Sequence, residues 1–188
     1  DRQGPGGHLT APVTVRPVRD GAGLDRFIAL PYELHARDPL WVPPLRMDVR
    51  KLLDRAANPF FEHGEAEYFL AERGGGVVGR IAAITNRLHN EFHADRAGFF
   101  GFFESVYDQD VATALFEAAA AWLRERQHDV MRGPASFSTN DECGLLIRGF
   151  DTPPTLMMPH NPPYYERLLD AARFTKAKDL LVYRGGYQ

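Results

Sequence analysis

The chain has 188 residues, 44% hydrophobic and 25% charged, the balance of an ordinary globular domain with a sizeable core. Its formal charge of -3 gives no electrostatic case for nucleic acid or an anionic membrane, and no apolar run approaches the ~18 residues of a membrane span. Cys143 stands alone, which excludes an intrachain disulfide and a four-cysteine zinc site and fits a reducing cytoplasm.

Residues 1–12, "DRQGPGGHLTAP", lack an apolar signal core and read as a flexible arm, with 13–188 as one domain. "VTVRPVRD" (13–20) alternates and predicts a strand. Leu24, Phe27, Ile28 and Leu34 then recur at helical spacing, with Pro31 expected to kink or break the helix. A rigid proline loop, "DPLWVPPL" (38–45), leads to a short helix over 47–54. "AEYFLAERGGGVVGRIAAITN" (66–86) is a hairpin turning at Gly74, Gly75 and Gly76. The "HNEFH" that follows reads as solvated loop histidines. His89, Glu91 and His93 do not have the spacing of a helical zinc motif, and no metal is expected.

"AGFFGFFE" predicts the next strand and 108–126 an amphipathic helix, with Asp108 as N-cap and Asp110 favourable to the helix dipole. A short strand (129–134), a long irregular segment to about Pro162, a helix in "PPYYERLLDAARF" and a last strand (176–184) complete the chain. The order predicts an α+β fold with a mixed, mostly antiparallel sheet flanked by helices, since hairpins precede the first long crossover helix.

That order, with Tyr164, Tyr165 and the "ARF" at 172–174 before a terminal strand, resembles the GNAT N-acetyltransferase superfamily. More narrowly, the chain from "LPYELHARDPLWVPPL" through "RGPASFSTNDECGLLIRGFDTPPTLMMPHNPPYY" is similar to a group of uncharacterised bacterial GNAT-like proteins. The resemblance implies an acyl-CoA-dependent N-acyltransferase acting on an amine, with acetyl-CoA or another acyl-CoA in a V-shaped opening between the fourth and fifth strands. The pyrophosphate would meet the N-terminus of the helix starting near Asp108, where backbone N–H groups favour an anion. The implied cofactor contacts are Phe103, Ser105, Val106, Tyr107 and Gln109. This junction lacks the glycines of the superfamily's phosphate loop, and Asp108 and Asp110 compete with phosphate for the helix end. It therefore reads as a capped helix in preference to a standard CoA loop.

By the same resemblance Glu104 is the base that takes the amine's proton, and Tyr165 or Tyr164 the acid for the leaving thiolate. The polar run Ser138, Thr139, Asn140, Asp141, Glu142 and Cys143 reads as pocket lining, joined by Met157 and Asn161 of the apolar segment "LMMPHNPPYY". The alternative is a non-catalytic module that binds a small molecule or a partner domain. A cysteine hydrolase built on Cys143 with His160 or His63 stands as a third, remote reading. The superfamily fold expects one more strand after "KAKDLLVYR". Either a second copy or second domain completes the sheet, or the chain is the N-terminal part of a longer polypeptide. The expected partner is a small molecule, with neither nucleic acid nor membrane.

Overall fold

Residues 11–138 and 141–182 are described in a computed structural model of the chain. The two apolar runs either side of Gly74 and Gly75 form the central hairpin, β2 (Gly64–Arg73) and β3 (Gly76–Asn86). Both glycines have positive φ, which residues with a Cβ rarely adopt, so the tight reversal follows from the sequence. β1 (Thr14–Pro17) pairs with β2, β4 (Ala97–Ser105) with β3, and the short β5 (Val130–Arg132) runs parallel to β4. The order β1-β2-β3-β4-β5 is the expected mixed, mostly antiparallel sheet.

The sheet is buried on both faces. Tyr68, Leu70, Ala82 and Ile84 pack against α1 (Gly21–Leu34) and α2 (Arg46–Leu53), while Phe69, Ala71, Ile81 and Ala83 pack against α4 (Gln109–Glu125) and α5 (Tyr164–Ala171). Adjacent residues of a strand point to opposite faces, so two-sided burial requires apolar side chains in succession. Each large side chain so buried contributes about 1.5–3 kcal/mol.

Three departures from expectation have physical causes. Pro31 neither breaks nor ends α1, which continues to Leu34. A proline inside a helix leaves the carbonyl four residues earlier without its donor. That carbonyl belongs to Phe27, and the buried Arg80 guanidinium fills the vacancy at 2.7 Å. The histidine segment is not a loop: it forms α3 (Arg87–His93), whose first turn is capped by the Asn86 side chain. The expected last strand does not form over residues 176–182, while Tyr183 and Arg184 lie outside the described residues.

β4 contains the irregularity that positions the site. Arg80 pairs with Glu104 and Ala82 with Gly101, so Phe102 and Phe103 together oppose Ile81. One extra residue shifts the side-chain alternation by one, and Phe102 takes the left-handed conformation (φ 51) that such a bulge demands. Without it Glu104 would face α4; with it, Glu104 turns toward the end of α1. β5 pairs only with Ala97, Gly98 and Phe99. The chain then crosses β4 at Gly101, where a Cβ would stand 2.2 Å from the Ala135 carbonyl oxygen, so only glycine fits. Past this crossing the C-terminal half of β4 has no β5 residue paired with it.

Candidate active site

Glu104 stands near the end of β4, past its pairing with β5. Its Oε2 is 2.9 Å from His35 Nε2 and accepts the Tyr165 hydroxyl at 2.6 Å. Its Oε1 lies 3.7 Å from Arg80. An ionised carboxylate has no proton to give, so His35 donates from Nε2. Four elements thus converge: β4 supplies Glu104, β3 Arg80, α5 Tyr165, and the end of α1 His35, whose backbone N–H caps that helix on Pro31. His35 and Arg80 are buried, whereas the Glu104 side chain keeps 14% of its surface in solvent.

Burial lowers the Arg80 pKa, against the favourable charge of Glu104. Its guanidinium also lies 4.8 Å over the Phe27 ring. A buried cation is tolerated only with a counter-charge and hydrogen bonds, which Glu104 and the Phe27 carbonyl supply. Tyr165 is buried on the other side of the opening against Phe103, and desolvation beside the Glu104 charge raises its phenol well above the usual value. Tyr164 is half-buried, donates to the Ser105 carbonyl at 2.7 Å and is pushed up to about 12, first by desolvation and then by Glu104.

Glu142 belongs to the same field. Its residue surface is exposed, yet protein surrounds the carboxyl closely enough that lost hydration, followed by repulsion from Glu104, raises it to about 7. Arg80 and His35 oppose that rise.

The helix end expected to meet a pyrophosphate is closed. Asp108 caps α4 by accepting the N–H groups of Asp110 and Val111, and Arg73 from β2 bonds the same carboxylate at 2.5 Å. Arg73 also stands 3.8 Å from Asp110. These bonds, with that from Arg73 largest, hold the Asp108 carboxyl below the usual range. The capped reading of the junction is the one the structure shows.

The other expected site residues are placed as follows. Phe103 is a core residue stacked on Phe116, and Val106 packs against the same core. Ser105 is fully buried; its N–H donates to the Tyr165 hydroxyl at 2.9 Å and its own hydroxyl to the Val106 carbonyl. Tyr107 is exposed with its ring beside Tyr164. Gln109 fastens α4 to α5 through the Leu168 carbonyl. Asn161 is buried, and its amide bonds Leu146 through both N–H and carbonyl. Ser138 donates to Asp141, closing a turn, and Thr139 and Asn140 lie outside the described residues. Met157 is exposed on a loop. Cys143 makes no pair with a histidine base, since His160 is bonded to Asp38 and His63 packs on Phe60, and burial pushes the thiol up, away from the thiolate a nucleophile needs. Among the described residues no group of three or more His, Cys, Asp or Glu is arranged to hold a metal, and no helix is long and apolar enough to cross a membrane.

His35 and Arg80 are the site residues that local sequence patterns do not reveal. The available signal was Pro31, which announces an orphan carbonyl in α1 and therefore a donor from elsewhere.

No family model matches the chain. Over 175 residues it is 43% identical to a protein of Caulobacter vibrioides named bacterial ceramide synthase, covering 93% of this chain and 46% of that one. Over 169 residues it is 40% identical to protein YghO of Escherichia coli, covering 90% and 43%. The chain therefore spans about half the length of these relatives. Among solved structures it is similar to an aminoglycoside acetyltransferase from an uncultured soil metagenomic sample, with a TM-score of 0.55 at 11% identity over 94% of this chain and 97% of that one. It is also similar to aminoglycoside N-acetyltransferase AAC(6')-Iy in complex with CoA, with a TM-score of 0.51 at 14% identity over 93% and 95%.

Proposed function

From the GNAT N-acetyltransferase fold, which this chain has, we propose that the protein is an acyl-CoA-dependent N-acyltransferase whose acceptor is a long-chain amine. The fold supports the reaction type, and a solved structure of this fold is in complex with CoA. The similarity to a protein named bacterial ceramide synthase supports the acceptor class, because a ceramide is the N-acyl derivative of a long-chain amino alcohol.

The observation that carries the reading is Glu104 near the end of β4, bonded on one oxygen by His35 and Tyr165 and still open to solvent. An amine arrives as the ammonium and has no lone pair until it loses a proton. In the proposed reaction Glu104 takes that proton. The nitrogen attacks the thioester carbonyl carbon, the C–N bond forms and the C–S bond breaks. The second nitrogen proton goes to the leaving sulfur through the Tyr164 hydroxyl, and Glu104 returns its proton to solvent. Tyr164 suits the acid role better than Tyr165 because it is only half-buried and its phenol is the less strongly raised; in the reaction its hydroxyl turns from the Ser105 carbonyl to the sulfur. His35 and Tyr165 position the base.

The test is release of free CoA thiol, with the amide product identified by mass, from a long-chain acyl-CoA offered a long-chain 2-amino alcohol or a polar aminoglycoside. The expected result is turnover with the former and its loss by about 100-fold or more in Glu104→Gln. One observation favours a second reading, that of a binding module without turnover: Asp108 and Arg73 occupy the helix end a pyrophosphate would need. Absence of thiol release with either amine, together with no calorimetric binding of acyl-CoA up to millimolar concentration, would sink the first reading and leave the second.

A further inference from the structure

Beyond β5 the chain stays fastened to β4. The Ala135 N–H donates to the Phe100 carbonyl at 2.8 Å, and the Ala135 carbonyl occupies the space over Gly101. Residues 141–144 then fold back antiparallel on residues 134–136. Ala135 pairs with Cys143, the Ser136 N–H donates to the Glu142 carbonyl at 2.9 Å, and the Gly144 N–H donates to the Pro134 carbonyl at 2.9 Å. Glu142 is thereby held on a strap anchored to β4 at Phe100 and Gly101, just before the bulge that turns Glu104.

Among the described residues the Glu142 carboxyl has neither an ion pair nor a hydrogen bond. The charges that act on it are Glu104 from β4, Arg80 from β3 and His35 from the end of α1. Arg80 and His35 are already engaged with Glu104. On the strap itself Asp141 is bonded to Ser138. The segment that meets Gly144 through Leu180 brings Lys176 and Asp179, paired with each other, and the exposed Lys178, none of which acts on Glu142. Two carboxylates therefore share one permanent cation, and the more exposed of them has no partner of its own. Lost hydration and then the Glu104 charge disfavour its ionised form, and a cation entering from solvent compensates both.

We propose that Glu142 binds the ammonium group of the acceptor amine, which then lies between two carboxylates with separate tasks: Glu142 holds it and Glu104 takes its proton. A primary ammonium carries three N–H donors, so it can bond both carboxylates at once. An alcohol of the same chain length gains no ion pair there. Binding by Glu142 precedes the chemistry, so its loss raises KM and leaves kcat, the reverse of what Glu104 governs. The proposal deepens the N-acyltransferase reading and rests on it for the second task alone, since holding an ammonium requires no turnover.

The experiment is calorimetric titration of the protein, without an acyl donor, with octylamine and with octanol, which has the same chain and no charge. At about pH 8 octylamine should bind, and Glu142→Gln should weaken it about tenfold while octanol is unaffected. Asp141→Asn removes the neighbouring carboxylate and should change octylamine binding by less than about twofold. Glu142 loses its proton around 7, so the parent's affinity should rise between about pH 6 and about pH 8, and Glu142→Gln should flatten that rise. The amine itself stays protonated throughout. In turnover Glu142→Gln should raise the octylamine KM about tenfold and leave kcat within about threefold. Octylamine bound through Glu142 without thiol release from acyl-CoA would sink the acyltransferase reading and leave this one standing. Equal octylamine binding by parent and Glu142→Gln overturns the proposal, as does an equal loss in Asp141→Asn, or no octylamine binding at all.

Discussion

Glu104 and Asp108 are two carboxylates of one short segment, and their surroundings are opposite. Glu104 gathers partners from three other elements, keeps a solvent-facing edge, and places beside itself a buried guanidinium, two tyrosines and a second carboxyl with a raised pKa. Asp108 turns inward to its own helix and is neutralised by Arg73. The cap is a local device, stabilising by about 1 kcal/mol. The Glu104 centre does the reverse, since it keeps ionisable groups out of water where apolar packing would be no less stable. A protein retains such a centre for what it does. In the proposed function the chemistry belongs to the end of β4, and the cap at Asp108 serves the stability of α4.

The largest expected effect tests the reacting end. Glu104→Gln preserves shape and removes the base, so kcat/KM should fall by about 10²–10⁴ while acyl-CoA binding is retained. A loss confined to KM would remove Glu104 from the chemistry. Next is Arg80→Met, which removes the buried counter-charge from Glu104 and returns the Phe27 carbonyl to its orphaned state. Breaking a buried pair costs about 3–5 kcal/mol, so thermal unfolding should drop by about 10 °C. A fall of a degree or two would show that water already reaches the pair.

The other end gives a smaller and sharper test. Asn caps a helix as well as Asp does, so Asp108→Asn leaves α4 intact and removes the charge that opposes a pyrophosphate. It also releases Arg73 to meet a phosphate. Calorimetric affinity for acyl-CoA should rise about tenfold, or about 1.4 kcal/mol. The same variant loses an acid-side dependence. Arg73 holds the Asp108 carboxyl low, so its stabilisation is present above the unfolded value of 3.8 and disappears as pH falls through the folded one. Unchanged affinity would mean that donor phosphates bind elsewhere, and the contrast between the two ends would lose its functional meaning.

The Asp108 cap, the hairpin at Gly74 and Gly75, the layer order and the position of Glu104 were legible because each is written in adjacent residues or in a repeating period. The face that Glu104 points to was not. It depends on a bulge at Phe102, and nothing local marks a phenylalanine that must adopt positive φ. His35 was invisible for a different reason: it lies 69 residues from Glu104, at the end of a helix that Pro31 is expected to kink or break. The proline that obscured the helix is the residue that explains Arg80. Residues 176–182, where the expected final strand does not form, show the limit of pattern from the other side. Leu180, Leu181 and Val182 have strand-like composition, yet they are exposed and unpaired in strand geometry, since composition supplies no neighbour to pair with.

Glu142 yields the smallest expected effect and links stability to the field of Glu104. Its folded pKa of about 7 lies above the unfolded value of 4.5. Between those values the folded protein holds a proton that the unfolded chain has released, so stability falls as pH rises through the window, and the penalty is complete above it. Glu142→Gln removes the penalty, and its melting temperature relative to the parent should rise on going from pH 5 to pH 8. Solvent contact at Glu142 limits the gain to about 1–2 °C. Because part of the shift comes from Glu104, the gain should shrink when both substitutions are combined, whereas lost hydration alone would leave it unchanged. A melting difference that is flat across pH would mean that Glu142 is ordinarily hydrated and does not share the field of Glu104.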